Sequence, residues 1–181
     1  MALTNATSTR ASSVNCDTLP DNSSAKALVA IDFNGFQLAA PTLDGFIDQL
    51  PDLAIFHANT NNFSGTISPK ISNLPYFYEL DISNSRIFGV FPQALLGNSL
   101  TGCLPWEIGL LKNATVFYVS FNQLIGPIPQ SFQCLFNIGL LNLARNQFYG
   151  EVPEAVCKLP NLYNFSLSYN CFTQVCPICR K

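Results

Sequence analysis

The chain has 181 residues, the size of one domain. Hydrophobic residues make up 48% of it and charged residues only 11%, against about 25% charged in ordinary soluble domains, so disorder is excluded and neutral polar groups must cover the surface. A net charge of −2 excludes an electrostatic footprint for nucleic acid or anionic lipid, and a single His and a single Met leave little for metal or acid–base chemistry.

Residues 1–24 are polar throughout and read as the remnant of an N-terminal cap. No apolar segment of a signal peptide is visible there, and no run in the chain reaches the roughly 18 residues of a membrane span. Seven Cys and five N-x-[ST] sequons, at Asn5, Asn22, Asn62, Asn113 and Asn164, nevertheless point to an extracellular, glycosylated protein.

Residues 25–97 form a first block of repeats on the pattern LxxLxxLxLxxNxLxGxIP. A weak unit starts at Ala27, and LPDLAIFHANTNNFSGTIS and LPYFYELDISNSRIFGVFP follow from Leu50 and Leu74. Residues 98–158 carry the second block, with units from Leu111 and Leu135, and residues 159–181 the last repeat and a Cys-rich C-terminal cap. The anchors Asn98, Asn122, Asn146 and Asn170 are 24 residues apart, as are Asn61 and Ser85. Between Ser85 and Asn98 the step is only 13, so the strand-forming half of a repeat is missing at the Gly97–Asn98 junction. A lost segment, rather than an irregular loop that restores phase, is the reading adopted, and it puts the continuity of the concave surface in question.

The fold this predicts is an α/β solenoid, a right-handed superhelix of plant-type 24-residue leucine-rich repeats with a parallel β-sheet on its concave face. In each xLxLx segment alternate side chains face opposite ways. Pairs such as Phe56/Ala58, Leu80/Ile82 and Leu141/Leu143 face inward, while Trp106 and Phe63, Phe132, Phe148 and Phe172 read as core. The Asn anchors form a structural ladder that satisfies buried backbone groups.

The residues left facing outward are the candidate ligand-binding set: His57, Asn59, Glu79, Asp81, Ser83, Tyr118, Ser120, Asn142 and Arg145, flanked by Phe121 and Tyr169. Glu79 and Asp81 would stand about 7 Å apart on one strand face, a spacing compatible with glycoside hydrolysis. An open face offers no dry pocket to raise one carboxyl, so a solvated patch that meets a basic peptide is the reading adopted. Cys176-Pro-Ile-Cys179 has the C-x-x-C spacing but no βαβ setting, and with Cys171 it lacks a fourth ligand for zinc. No cofactor, metal or catalytic residue is expected.

The segments IDFNGFQLAAPTLDGFIDQLPDLAIFHANTNNFSGT, TGCLPWEIGLLKNATVFYVSFNQLIGPIP and YGEVPEAVCKLPNLYNFSLSYNCFTQV resemble the plant cell-wall leucine-rich-repeat family of leucine-rich-repeat extensins and pollen extensin-like proteins. The likeness runs from about Ala25 to Lys181 and is nearest to the shorter relatives without an extensin tail. It departs from the family in having only Cys16 where a paired-Cys cap stands and in the jump from Gly97 to Asn98. The resemblance implies a Cys157–Cys179 disulfide, which their 22-residue spacing, nearly one coil, allows. It also implies a non-enzymatic cell-wall protein whose partner is a secreted peptide of the rapid alkalinization factor type or a cell-wall polysaccharide. A dimer is left open. The alternatives are an inhibitor of wall-degrading polygalacturonase and a shortened product without stable function.

Overall fold

The computed structural model describes residues 13–19, 21–88, 104 and 106–174. Every repeat contributes one short strand to a continuous face and one to the return side. In chain order they are β1 (Ser13–Leu19), β2 (Asn22–Asp32), β3 (Ala39–Ala40), β4 (Ile55–His57), β5 (Asn62–Gly65), β6 (Glu79–Asp81), β7 (Arg86–Ile87), β8 (Val116–Tyr118), β9 (Ile125–Gly126), β10 (Leu140–Asn142), β11 (Gln147–Glu151), β12 (Asn164–Ser166) and β13 (Cys171–Gln174). Strands β2, β4, β6, β8, β10 and β12 stack in parallel, and β1 closes the first edge antiparallel to β2. Behind them lie two smaller sheets, β3–β5–β7 and β9–β11–β13. The coils return through 3-10 turns such as Pro69–Asn73 and Gln130–Cys134. Pro69 starts its turn because a missing N–H is no loss at that position, and the Ser68 hydroxyl accepts from the Lys70 N–H.

The alternating pattern does what it implies. The middle residue of each strand points inward, so Phe56, Leu80, Phe117 and Leu141 are all but fully buried, followed by Ala58, Ile82, Val119 and Leu143. Each large side chain buried in this way stabilises the stack by about 1.5–3 kcal/mol. Phe63, Phe132 and Phe148 belong to the same core, Phe132 meeting Phe117 edge-on at 6.0 Å between centroids. Phe172 is half-buried and stacks on Phe148. Trp106, expected in the core, is instead 57% exposed at the start of its 3-10 turn, where Ile108 takes the inward position.

The asparagine ladder is visible rung by rung. Asn122 Nδ2 donates to the carbonyls of Ile82, Val119 and Ser120, and its Oδ1 accepts from the Ile87 N–H. Asn61, Asn146 and Asn170 repeat that set of contacts in their own coils. At the equivalent place in the third coil stands Ser85, whose buried hydroxyl has no hydrogen-bond partner. One rung is therefore missing. The anchor expected at Asn98 lies outside the described residues.

The concave sheet continues across the break. Strand β6 pairs directly with β8, matching Glu79 with Val116 and Asp81 with Tyr118. The step between equivalent residues in these coils is 37, as in the Ser120–Ser83 bond, against 24 elsewhere, as in the Asn84–Thr60 bond. Both flanks hold their repeat positions: Phe88 bridges to Gln123 and Leu104 is buried. The sequence carries the back half of a repeat twice, as GVFP and GCLP, so the surplus is taken up between Phe88 and Leu104 without interrupting the sheet. Lengthening a connection costs only about 0.6 kcal/mol per doubling, whereas breaking the sheet would expose two unpaired edges.

Within segment 1–24, read as the remnant of an N-terminal cap, Ser13–Leu19 form β1 and Asn22 begins β2. The edge of a parallel stack needs a partner for its free N–H and C=O groups, and this hairpin provides one.

Candidate functional site

The concave face is built from registered rows, one side chain per coil. The first row runs Ile55, Glu79, Val116, Leu140 and Asn164. The second runs Asp32, His57, Asp81, Tyr118, Asn142 and Ser166. At its N-terminal end the face is acidic. His57 Nε2 lies 3.1 Å from Glu79 Oε2, reaching diagonally between adjacent strands. Asp81 Oδ1 accepts from the Ser83 N–H at 3.0 Å, and Asn142 Oδ1 accepts from the Ala144 N–H at 3.1 Å. These two side chains thus close their own strand ends while remaining on the face.

Two residues expected on the face are not on it. Ser83 and Ser120 are buried, and the Ser120 hydroxyl donates to that of Ser83 at 3.1 Å. The chain turns inward after the second row, so the next position faces the ladder rather than solvent. Asn59 is half-buried in the same turn, its N–H donating to Asn34 Oδ1 and its carboxamide oxygen accepting from the Thr60 hydroxyl.

One step further along, the backbone adopts the left-handed conformation at Thr60, Asn84, Phe121, Arg145 and Tyr169, with φ between 53° and 57°. Each of these residues except Tyr169 donates its N–H to a carbonyl of the next coil: Thr60 to Ser83, Asn84 to Ser120, Phe121 to Ala144 and Arg145 to Ser168. That regular bonding holds bulky residues in a conformation they disfavour. It also throws three large side chains outward in a row. The Arg145 guanidinium lies between the rings of Phe121 and Tyr169, 4.9 and 3.9 Å from their centroids. Both rings are exposed, at 51% and 70%. This arrangement holds the guanidinium plane flat and leaves its edge to solvent.

Two tyrosines stand on the later coils, Tyr118 in β8 and Tyr163 just before β12. Tyr163, 78% exposed, lies across Gly139, where an added Cβ would come 2.5 Å from the ring. Burial pushes the Tyr118 phenol above its usual range, with smaller contributions from Tyr163 and the Asp81 carboxylate. Tyr163 escapes a reading based on strand positions, because it stands just before the strand. Its 24-residue spacing from Gly139 is the signal that could have found it.

Of the sequons, Asn62, Asn113 and Asn164 are exposed, Asn164 on the first concave row, while Asn22 stands in β2 and Asn5 lies outside the described residues. Asn113 Nδ2 donates to the Pro75 carbonyl. Asn137 and Asn161 make the matching bonds to Lys112 and Phe136, a second asparagine row that sequence reading did not single out. Cys157 is disulfide-bonded; Cys179, named as its partner from sequence, lies outside the described residues. Among the described residues no group of three or more His, Cys, Asp or Glu could hold a metal ion, and no helix is long and apolar enough to cross a membrane.

A leucine-rich-repeat family model matches residues 113–135. The structure is similar to that of PEPR1–AtPEP1, with a TM-score of 0.73 and 25% identity over 88% of this chain and 20% of that one. It is similar to the plant peptide hormone receptor RGFR1 in complex with RGF2, with a TM-score of 0.70 and 27% identity over 80% of this chain and 21% of that one. It also resembles the leucine-rich-repeat ectodomain of the receptor kinase SOBIR1 from Arabidopsis thaliana, with a TM-score of 0.70 and 20% identity over 90% of this chain and 82% of that one. The chain thus spans about a fifth of the length of the first two. No curated protein sequence matches it significantly. Together with the parallel stack, these likenesses establish an α/β solenoid of plant-type leucine-rich repeats.

Proposed function

We propose that the chain is an extracellular, non-catalytic recognition module that binds an extended peptide along its concave face. The observation that carries this reading is the polarity of that face. His57, Glu79 and Asp81 form an acidic end on the earlier coils, and the later coils carry Tyr118 and Tyr163 with a cationic rim of Phe121, Arg145 and Tyr169. Charge of both signs on an open sheet suits a chain with its own alternating charges better than a uniformly acidic or neutral polysaccharide. Exposed Tyr and Arg are also the side chains that give interfaces most of their binding energy. The likeness to a peptide hormone receptor supports the same class of ligand.

The finer proposal is a cell-wall protein of the leucine-rich-repeat extensin type, with a secreted peptide of the rapid alkalinization factor type as its ligand. Glycans at the exposed sequons and a Cys157–Cys179 bridge that closes the last coil belong to it. The test is titration calorimetry with such a peptide and, separately, with polygalacturonate. Peptide binding that falls about tenfold in both Glu79→Gln and Arg145→Ala supports the proposal, tenfold being about 1.4 kcal/mol. Polygalacturonate binding that survives Glu79→Gln, with no peptide binding, would replace it with a polymer-binding role.

A further inference from the structure

Beside the concave face, on the flank where chain segments rise into the strands, lies a cavity of about 420 Å³ that the rows described above do not use. Its lining combines apolar Val29 and Ala54 with Tyr76, Tyr78, Asp17 and Asp52, and the sequon residue Asn113 also borders it. Among the described residues no Lys, Arg or His lines it. Asp17 reaches it because the β1 hairpin folds back along the edge strand, and Asp52 and Tyr76 come from the equivalent loops of successive coils.

We propose that this flank cavity binds the cationic side chain, lysine or arginine, of a peptide partner. The chemistry is complementary on three counts. An aliphatic stem lies against Val29 and Ala54, removing apolar surface from water. The charged head meets the faces of two tyrosine rings, which attract cations through their quadrupoles. Its N–H donors then meet the Asp17 and Asp52 carboxylates, which enter none of the ion pairs among the described residues. Lys26, opposite Thr18 in the β1–β2 register, enters none of those pairs.

The Tyr76 phenol reports the same crowding of negative charge. A hydrogen bond with Asp21 is the main cause that lifts it above its usual value, and desolvation and the Asp21 and Asp52 carboxylates add to this. A cation is therefore favoured at this point over an anion or a neutral group. Among the described residues no group of three or more His, Cys, Asp or Glu gathers here to hold a metal ion. The site does not depend on the concave-face reading, since none of its residues lies in the registered rows.

The probe is tetralysine amide, with fully acetylated tetralysine amide as the uncharged control, titrated at low ionic strength and followed by calorimetry and backbone amide shifts. Tetralysine should bind and its acetylated form should not, and shifts should centre on Asp52 to Tyr78. Asp52→Asn should weaken binding at least fivefold and Tyr76→Leu at least threefold, while Asp44→Asn, at an exposed carboxylate outside both this cavity and the concave rows, changes it less than twofold. Equal losses in Asp52→Asn and Asp44→Asn would mean diffuse attraction to an acidic protein and would overturn the proposal. So would shifts confined to His57, Glu79 and Asp81. Thermal melts of each variant separate lost binding from lost fold. If Tyr76→Leu does not fold, Asp52→Asn alone decides.

Discussion

Ser85 shows how much one side chain can matter in a repeat stack. Where Asn61, Asn122, Asn146 and Asn170 each tie two coils together, Ser85 is too short to reach the facing groups and its own hydroxyl is left without a partner. Replacing Ser85 with Asn restores donors to the Ala58 and Ile82 carbonyls and an acceptor for the Phe63 N–H, by analogy with its neighbours. The expected gain is about 1–2 kcal/mol, seen as a higher urea midpoint with an unchanged m-value. A second consequence at this scale concerns alkaline pH. Burial raises the Tyr78 phenol, with Glu79 adding to it, and Tyr118 is raised in the same direction. The folded protein thus holds these protons where the unfolded chain has begun to release them. Stability is intact below the usual value of 10.0 and falls as pH rises through and above it. Tyr118→Phe should flatten the decline in melting temperature above pH 10, and a decline unchanged in that variant would remove Tyr118 as a cause.

At the scale of elements, the strands are fixed by alternation, but the connection between β6 and β8 is not. The sequence reads there as a missing strand because two anchors come too close together, yet the structure keeps the strand order intact. The residue placed as an anchor, Asn98, sits in a duplicated return segment, and Asn122 bonds back to the Ile82 coil instead. Deleting residues 90–102 joins Gly89 to Cys103 and restores an ordinary GCLP return. The shortened protein should melt cooperatively within about 1 kcal/mol of the parent, because loop length contributes weakly to stability. Loss of cooperative melting would show that the extra segment packs as part of the core.

Across the whole molecule, each coil touches only its neighbours, so stability is a sum of coil and interface terms. The weakest interface is the one at Ser85, where a rung is absent and the long coil begins. Native-state hydrogen exchange should therefore show two blocks, with the amides of β8, β10 and β12 slower than those of β4 and β6. Ser85→Asn should draw the two rates together. Uniform protection across the sheet would mean that apolar stacking alone couples the coils. The polarity of the concave face has the same two-block character, with acidic groups on the earlier coils and the aromatic and cationic groups on the later ones.

The sequence by itself determined the repeat, the parallel stack, the inward residues and the ladder. These follow from periodicity, and a period of two within a period of 24 leaves each apolar residue one face to occupy. It also placed His57, Glu79, Asp81, Tyr118, Asn142 and Arg145 on the exposed side of their coils. Only the tertiary structure decided that Ser83 and Ser120 turn inward to bond each other, and that Trp106 stays exposed. It alone stacked Phe121, Arg145 and Tyr169, laid Tyr163 over Gly139, and joined β6 to β8 across the break. Each of these depends on contacts between residues of different coils, whose register is set by backbone bonding between strands and not by the local pattern of any one repeat.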